Sequence, residues 1–133
     1  MQFNITTDYA IRTVLYLAIR NEITTSKEIA EAMGIPLYYL FKITSKLVKV
    51  KLVQRFQGTK GGFKLQKAAQ DITLYDIINA IESTTKINRC LEDDKYCSRF
   101  ATESCPVRNF YVATQKEIEN KLKSVTVAKL LGK

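Results

Sequence analysis

The sequence predicts a mainly α-helical fold with one small β-hairpin, a winged helix-turn-helix followed by a long C-terminal helix. Three observations predict it. Between Pro36 and Gln66 the chain carries seven Lys or Arg residues and no Asp or Glu. The first half of that stretch has helical periodicity, with Leu40, Ile43, Leu47 and Val50 at steps of three and four. The second half, Leu52 to Gln57 and Phe63 to Gln66, favours extended chain around Gly58-Thr59-Lys60-Gly61-Gly62, the composition of a hairpin turn. A helix with one apolar and one basic face, followed by a basic hairpin, is the layout of a recognition helix and its wing.

Composition bounds the rest. With 133 residues, 46% of them hydrophobic, the chain is one domain plus at most an appended element, large enough for a core that needs no disulfide. A formal net charge of +8 points to nucleic acid, an anionic membrane surface or an acidic protein as partner. The charge is uneven: residues 1 to 66 hold ten basic and four acidic side chains, residues 67 to 133 eleven and nine. The basic work therefore belongs to the first half. No 18-residue apolar run and no signal-peptide core are present, which places the chain in the cytosol with no membrane partner. Residues 1–82 are expected to form the DNA-binding unit, 83–105 a cysteine-bearing loop, and 106–133 a dimerisation helix with a tail.

In chain order, Thr6 or Thr7 is the expected N-cap of a first helix, DYAIRTVLYLAIR, apolar on most sides from Ala10 to Ile19. Asp8 falls in its first turn, where a carboxylate gains about 0.3–1 kcal/mol from the helix dipole. Thr25-Ser26-Lys27-Glu28 has the spacing of a capping box, and Gly34 suits a left-handed helix end. Pro36 then suits the opening of the third helix, and the short separation with a Gly between is helix-turn-helix spacing. After the wing, Thr73 and Asp76 cap LYDIINAIE, whose Leu74, Ile77, Ile78 and Ile81 should close the core. From Ser83 to Ser104 the chain is polar and aperiodic, and a loop of that length needs a reason. Pro106 opens a final long helix in which Val107, Tyr111, Thr114, Ile118, Leu122 and Val125 form a seam at steps of four and three. One helix cannot bury such a seam alone, so a twofold homodimer is expected, with VTVAKLLGK packing back.

The basic stretch could be an ordinary solvated helix face, but surfaces normally mix signs, and 31 residues without an acid do not. Duplex DNA is favoured over RNA because a helix enters the major groove of B-form DNA and not that of A-form RNA. Lys42, Lys46, Lys49 and Lys60 are assigned to phosphates. Tyr38, Tyr39, Phe41 and Lys42 are the candidates for base edges, although either tyrosine could equally be a packing residue. Ser26, Lys27 and Pro36 frame the two helix starts, Arg55 adds a cation to the wing, and Gln57 and Thr59 reach from its tip toward the minor groove. Gly61 and Gly62 allow close approach of the hairpin backbone to the sugar-phosphate chain. A dimer would present two recognition helices one DNA turn apart and read a pseudo-palindromic operator.

Cys90, Cys97 and Cys105 lie in the aperiodic segment. Thiolates suit iron–sulfur clusters and zinc. Three are one short of the usual four, and the chain has no His, so a fourth ligand would come from a carboxylate, a partner chain, backbone or an exogenous molecule. Thiol redox sensing and inert packing are the other readings of the same spacing. An enzyme is disfavoured by the lack of a CxxC, a His base or a phosphate loop.

TTDYAIRTVLYLA, SKEIAEAMGIPLYYLFKITSKLVKVKLV, the GTKGGFKL wing, DITLYDIINAIE and CPVRNFY occur in the same order as in the IscR/NsrR-type regulators, also called the Rrf-two family, which the whole chain resembles. The resemblance implies a homodimeric transcription factor, usually a repressor, holding an iron–sulfur cluster through Cys90, Cys97 and Cys105. Members similar to the nitric-oxide-responsive branch use an Asp matching Asp8, donated by the other subunit to a [4Fe–4S] cluster, so that cluster is favoured over [2Fe–2S]. Arg108 occupies the region where IscR-like members carry a ligand His. Gln57 stands where the family's wing commonly has Arg, and Lys51 where Gly is usual, so a relative's DNA target does not transfer. The signal would be nitric oxide, redox state or iron and cluster status; the alternative is a cluster-free thiol-redox or metabolite-responsive regulator on the same scaffold.

Overall fold

The computed structural model covers residues 1–133 and contains six α-helices and one hairpin. Helix α1 (Ile5–Arg20) is capped by Asn4, whose side chain accepts from the Thr6 backbone N–H. The cap falls before Thr6 and Thr7 because Thr7 Oγ1 is used elsewhere, donating to Glu82 Oε1 at 2.6 Å. Only one stripe of α1 is fully buried, Thr7, Ala10, Thr13, Val14 and Leu17. Ile5 and Ile19 are exposed, so the helix is less enclosed than its composition suggested.

Helix α2 (Ser26–Met33) is capped by the Thr25 side chain, which accepts from Glu28 N, and ends at Gly34 in the left-handed conformation. The Glu28 carboxylate does not complete the box; it accepts from Tyr16 Oη at 2.8 Å and pairs with Arg20 Nε at 3.1 Å. Pro36 supplies the N-cap position of α3 (Leu37–Lys49). Leu40, Ile43, Thr44 and Leu47 form its buried stripe, whereas Val50 lies beyond the last turn and is exposed.

Strands β1 (Val53–Phe56) and β2 (Gly62–Leu65) pair antiparallel, Val53 opposite Leu65 and Phe56 opposite Gly62. A third segment joins this hairpin: Thr24, between α1 and α2, exchanges two 2.8 Å backbone hydrogen bonds with Phe63. The wing is thus bonded to the chain that enters the helix-turn-helix. Helix α4 (Leu74–Ile81) has the expected reciprocal box, Thr73 with Asp76, and buries Ile77, Ile78 and Ile81.

Helix α5 (Pro106–Ser124) packs on α4, and α6 (Val127–Leu130) folds back so that Val127 joins the 15-residue core beside α1. The return is held by backbone pairing of Thr73 with Thr126 and by Val127 N to Ile72 O at 2.8 Å. Each fully buried Leu or Ile of this core contributes about 1.5–3 kcal/mol. Tyr111, Thr114, Ile118 and Leu122 of the predicted seam are half-buried. The fully buried member of α5 is their polar neighbour Gln115, while Val107, Phe110 and Val112 stay exposed.

Candidate nucleic-acid interface and cysteine cleft

Helix α3 turns its apolar stripe inward, which aims Tyr38, Lys42, Ser45 and Lys49 outward together. Tyr38 is 65% exposed and Phe41 50% exposed, large apolar surface that only a ligand or partner would cover. Tyr39 is half-buried: its ring meets Tyr9 of α1 edge-on at 5.6 Å and lies 4.5 Å from the ring of Tyr38. A hydrogen bond with Tyr39 raises the Tyr38 hydroxyl pKa above its ordinary value. Lys46 leans off this face and donates to Ile81 O at 3.4 Å, tying α3 to the end of α4.

Lys27 is exposed near the start of α2, Ser26 is half-buried there, and Pro36 is exposed before α3. Gln57, Thr59 and Lys60 are exposed at the hairpin tip. Arg55 lies over the Phe63 ring at 5.5 Å, a contact that holds its stem along the wing. Gly61 and Gly62 have reasons inside the protein: a Cβ on Gly61 would meet Phe56 O at 2.5 Å, and one on Gly62 would meet Thr24 O at 2.4 Å. Their close backbone approach is to the chain itself.

The aperiodic segment is tightly tied down. Gln115, 5% exposed, accepts from Ile87 N at 2.8 Å and donates to Thr85 O at 2.9 Å. Arg89 grips the Asp94 carboxylate with both terminal nitrogens and stacks on Tyr96. These ties bring Cys90, Cys97 and Cys105 to one cleft of about 270 Å³, shared with Asn88, Arg108 and Tyr111. Cys90 is buried, and its sulfur accepts from Asn88 Nδ2 at 3.2 Å. Cys105 caps α5, accepting from Arg108 N at 3.4 Å. Backbone N–H groups of Ala101 and Arg99 hold the Cys97 thiol below its ordinary pKa.

No three Cys, Asp or Glu side chains converge where a single ion could sit. The three thiols instead line one cleft together with Arg89 and Arg108, and thiolates are the ligands that iron–sulfur clusters take. Asp8 is not in this cleft; it pairs with Arg12 at 2.7 Å on the half-exposed side of α1. The residues missed from sequence are Gln115 and Glu82. Glu82 accepts from Asn4 N at 3.2 Å as well as from Thr7, clasping the start of the cysteine segment to the start of α1. A polar residue set beside the apolar row of α5 was the available signal for Gln115; Glu82 had none.

A winged helix-turn-helix with a basic reading face is the architecture of a DNA-binding transcriptional regulator. The chain belongs to the Rrf2 family, described as an iron-dependent transcriptional regulator, whose model matches residues 3–133. It is 33% identical over 133 residues to an HTH-type transcriptional regulator of Aquifex aeolicus (strain VF5), covering 99% of this chain and 92% of that one. It is also 29% identical over 96 residues to NsrR of Halalkalibacterium halodurans, 71% of this chain and 66% of that protein. Among solved structures it is similar to T. potens IscR, with 25% identity, a TM-score of 0.77, and coverage of 99% and 87%. CymR, the global cysteine regulator of B. subtilis, shares the fold with a TM-score of 0.80 at 24% identity, covering 98% and 95%. These relatives are regulators and not enzymes, and no helix here is long and apolar enough to cross a membrane.

Proposed function

We propose that this chain is a homodimeric repressor whose affinity for a pseudo-palindromic DNA operator is set by an iron–sulfur cluster. Cys90, Cys97 and Cys105 would hold the cluster, [4Fe–4S] in preference to [2Fe–2S], with Asp8 of the partner subunit as fourth ligand. When bound, the cluster supplies a redox- and nitric-oxide-reactive centre whose loss reports redox state or iron and cluster supply. The observation that supports this reading is the gathering of all three thiols at one cleft beside Arg108. The exposed Val107, Phe110 and Val112 of α5 are the surface offered to a second copy.

The chain's own residues connect cleft and DNA face. The cysteine segment leaves α4 at Glu82, which is bonded to the start of α1, while Ile81 is bonded to Lys46 of the recognition helix. Ordering or loosening the segment therefore pulls on both helices. A coupling of about 1–3 kcal/mol changes operator affinity about 5- to 150-fold. Anaerobic purification with iron and sulfide quantitation, followed by anisotropy titration of operator DNA with loaded and cluster-free protein, tests the reading. Iron-free protein, or equal affinities of the two forms, would refute it. A cluster-free thiol switch is the second reading, favoured by the partly exposed Cys97 with its lowered pKa. It expects colourless protein whose operator binding changes with oxidant.

A further inference from the structure

Paired hydrogen bonds identify a base through a short list of side chains: Arg or Lys for guanine, Asn or Gln for adenine, Asp or Glu for cytosine. Helix α3, LYYLFKITSKLVK, contains no Arg, Asn, Gln, Asp or Glu. Of its three lysines only Lys42 lies in the N-terminal half, the part that a recognition helix lays against base edges. Ser45, next along the same face, spends its hydroxyl proton on Phe41 O at 2.9 Å. What the N-terminal half exposes is apolar: Leu37 is 44% exposed, Tyr38 65% and Phe41 50%. Leu37 and Phe41 are one turn apart, and Tyr38 and Lys42 form the row beside them, so the four side chains make one patch. No Asp or Glu occurs from Pro36 to Gln66 to oppose the cations around it.

We propose that this patch reads the C5 methyl groups of thymines in the operator, with Leu37 and Phe41 as the specificity-determining side chains. The proposal rests on the DNA-binding reading above and not on the cluster. In the major groove thymine is set apart by one apolar group, its methyl, and apolar side chains are the complement of that group. The surrounding charge decides the occupant. Lys42 and Lys49 stand exposed on the same face of α3, and apolar groups set among unopposed cations match a groove where methyls lie between phosphates. Lysines on phosphates supply affinity without sequence, so discrimination falls to the methyl contacts. One methyl taken out of water is worth about fourfold in affinity, the value of a buried CH2 group.

Deoxyuridine is the discriminating probe. It lacks the methyl of thymidine and keeps the same pairing, phosphates and minor-groove edge, so contacts of the wing and the lysines are untouched. Duplexes are selected from a random pool by the full chain, and each thymine of the recovered half-sites is replaced in turn by deoxyuridine. The expected result is a fixed thymine in each half-site whose replacement weakens binding about fourfold with the salt slope unchanged, while the same replacement in the central spacer has no effect. In Leu37→Ala or Phe41→Ala the thymine-to-deoxyuridine ratio is expected to fall below about twofold at an unchanged melting temperature, because both positions are on the surface. Half-sites without a fixed thymine, equal affinities for the two duplexes, or a ratio unchanged in both variants would overturn the proposal and leave DNA binding standing. Failure to enrich any duplex over the starting pool would overturn the DNA-binding reading and this proposal with it.

Discussion

Gly62→Ala tests how the wing is joined to the helix-turn-helix. The added Cβ would lie 2.4 Å from the carbonyl oxygen of Thr24 and 2.7 Å from its carbon. Both are backbone atoms, so no rotamer change clears them. The strand must retreat from residue 24, which breaks the two 2.8 Å hydrogen bonds between Thr24 and Phe63. At a net contribution of about 0.5–1.5 kcal/mol each, their loss costs about 1–3 kcal/mol before any disturbance of Phe63 packing. Typical domains hold about 5–15 kcal/mol in total, so this is a large fraction. With a urea slope of about 1–3 kcal/mol per molar, the unfolding midpoint should fall by about 1 M at fixed protein concentration. Equilibrium urea unfolding followed by far-UV circular dichroism measures it, and operator affinity should weaken in parallel because Thr24 directly precedes the cap of α2. A midpoint shift smaller than about 0.2 M, well under one hydrogen bond on that slope, refutes the idea that backbone contact at Thr24 seats the wing.

Lys51 sits at φ +64° between α3 and β1, a conformation that costs a side chain about 1–2 kcal/mol. Lys51→Gly should therefore stabilise the fold by about 0.5–1 kcal/mol in the same urea assay, the greater freedom of Gly in the unfolded chain offsetting part of the relief. Gln115→Ala leaves Ile87 N–H and Thr85 C=O without their partner, a loss of about 1–3 kcal/mol. Trypsin should then cut after Lys95 and Arg99 about tenfold faster per 1.4 kcal/mol of local loosening, and an unchanged rate would show that the segment is held by other ties. Lys49→Ala should weaken binding equally on operator and unrelated duplex and reduce the salt slope by about one; a sequence-selective loss would instead make Lys49 a base reader.

Much of this is legible in the sequence. The alternation of Leu40, Ile43 and Leu47 places α3 and its outward Lys face, since a helix repeats every 3.6 residues whatever surrounds it. Gly34, Thr25 and Thr73 mark their helix ends through local bonding. Errors arose where a distant partner outbid the local preference. Thr7 leaves the cap to Asn4 because it reaches Glu82, 75 residues away, and Glu28 leaves its half of the box for Tyr16 and Arg20. Tyr38 and Tyr39, indistinguishable in the sequence, part company because Tyr9 shields the second. Gly61 and Gly62, expected to let the hairpin backbone come close to DNA, are in addition required by the chain's own backbone, which leaves no room for a Cβ.

Taken alone, the sequence determined the helices, the hairpin, the charge asymmetry and the trio of cysteines, because these depend on residues within a turn or two of one another. Only the tertiary structure decided that the thiols share a cleft, that Gln115 bolts the segment carrying them to α5, that Glu82 ties that segment to α1, and that Lys46 of the reading helix is bonded to the end of α4. Contacts across 20 to 80 residues carry no periodicity along the chain. They exist because the packed core brings helix ends together, where unpaired backbone groups and carboxylates must find partners.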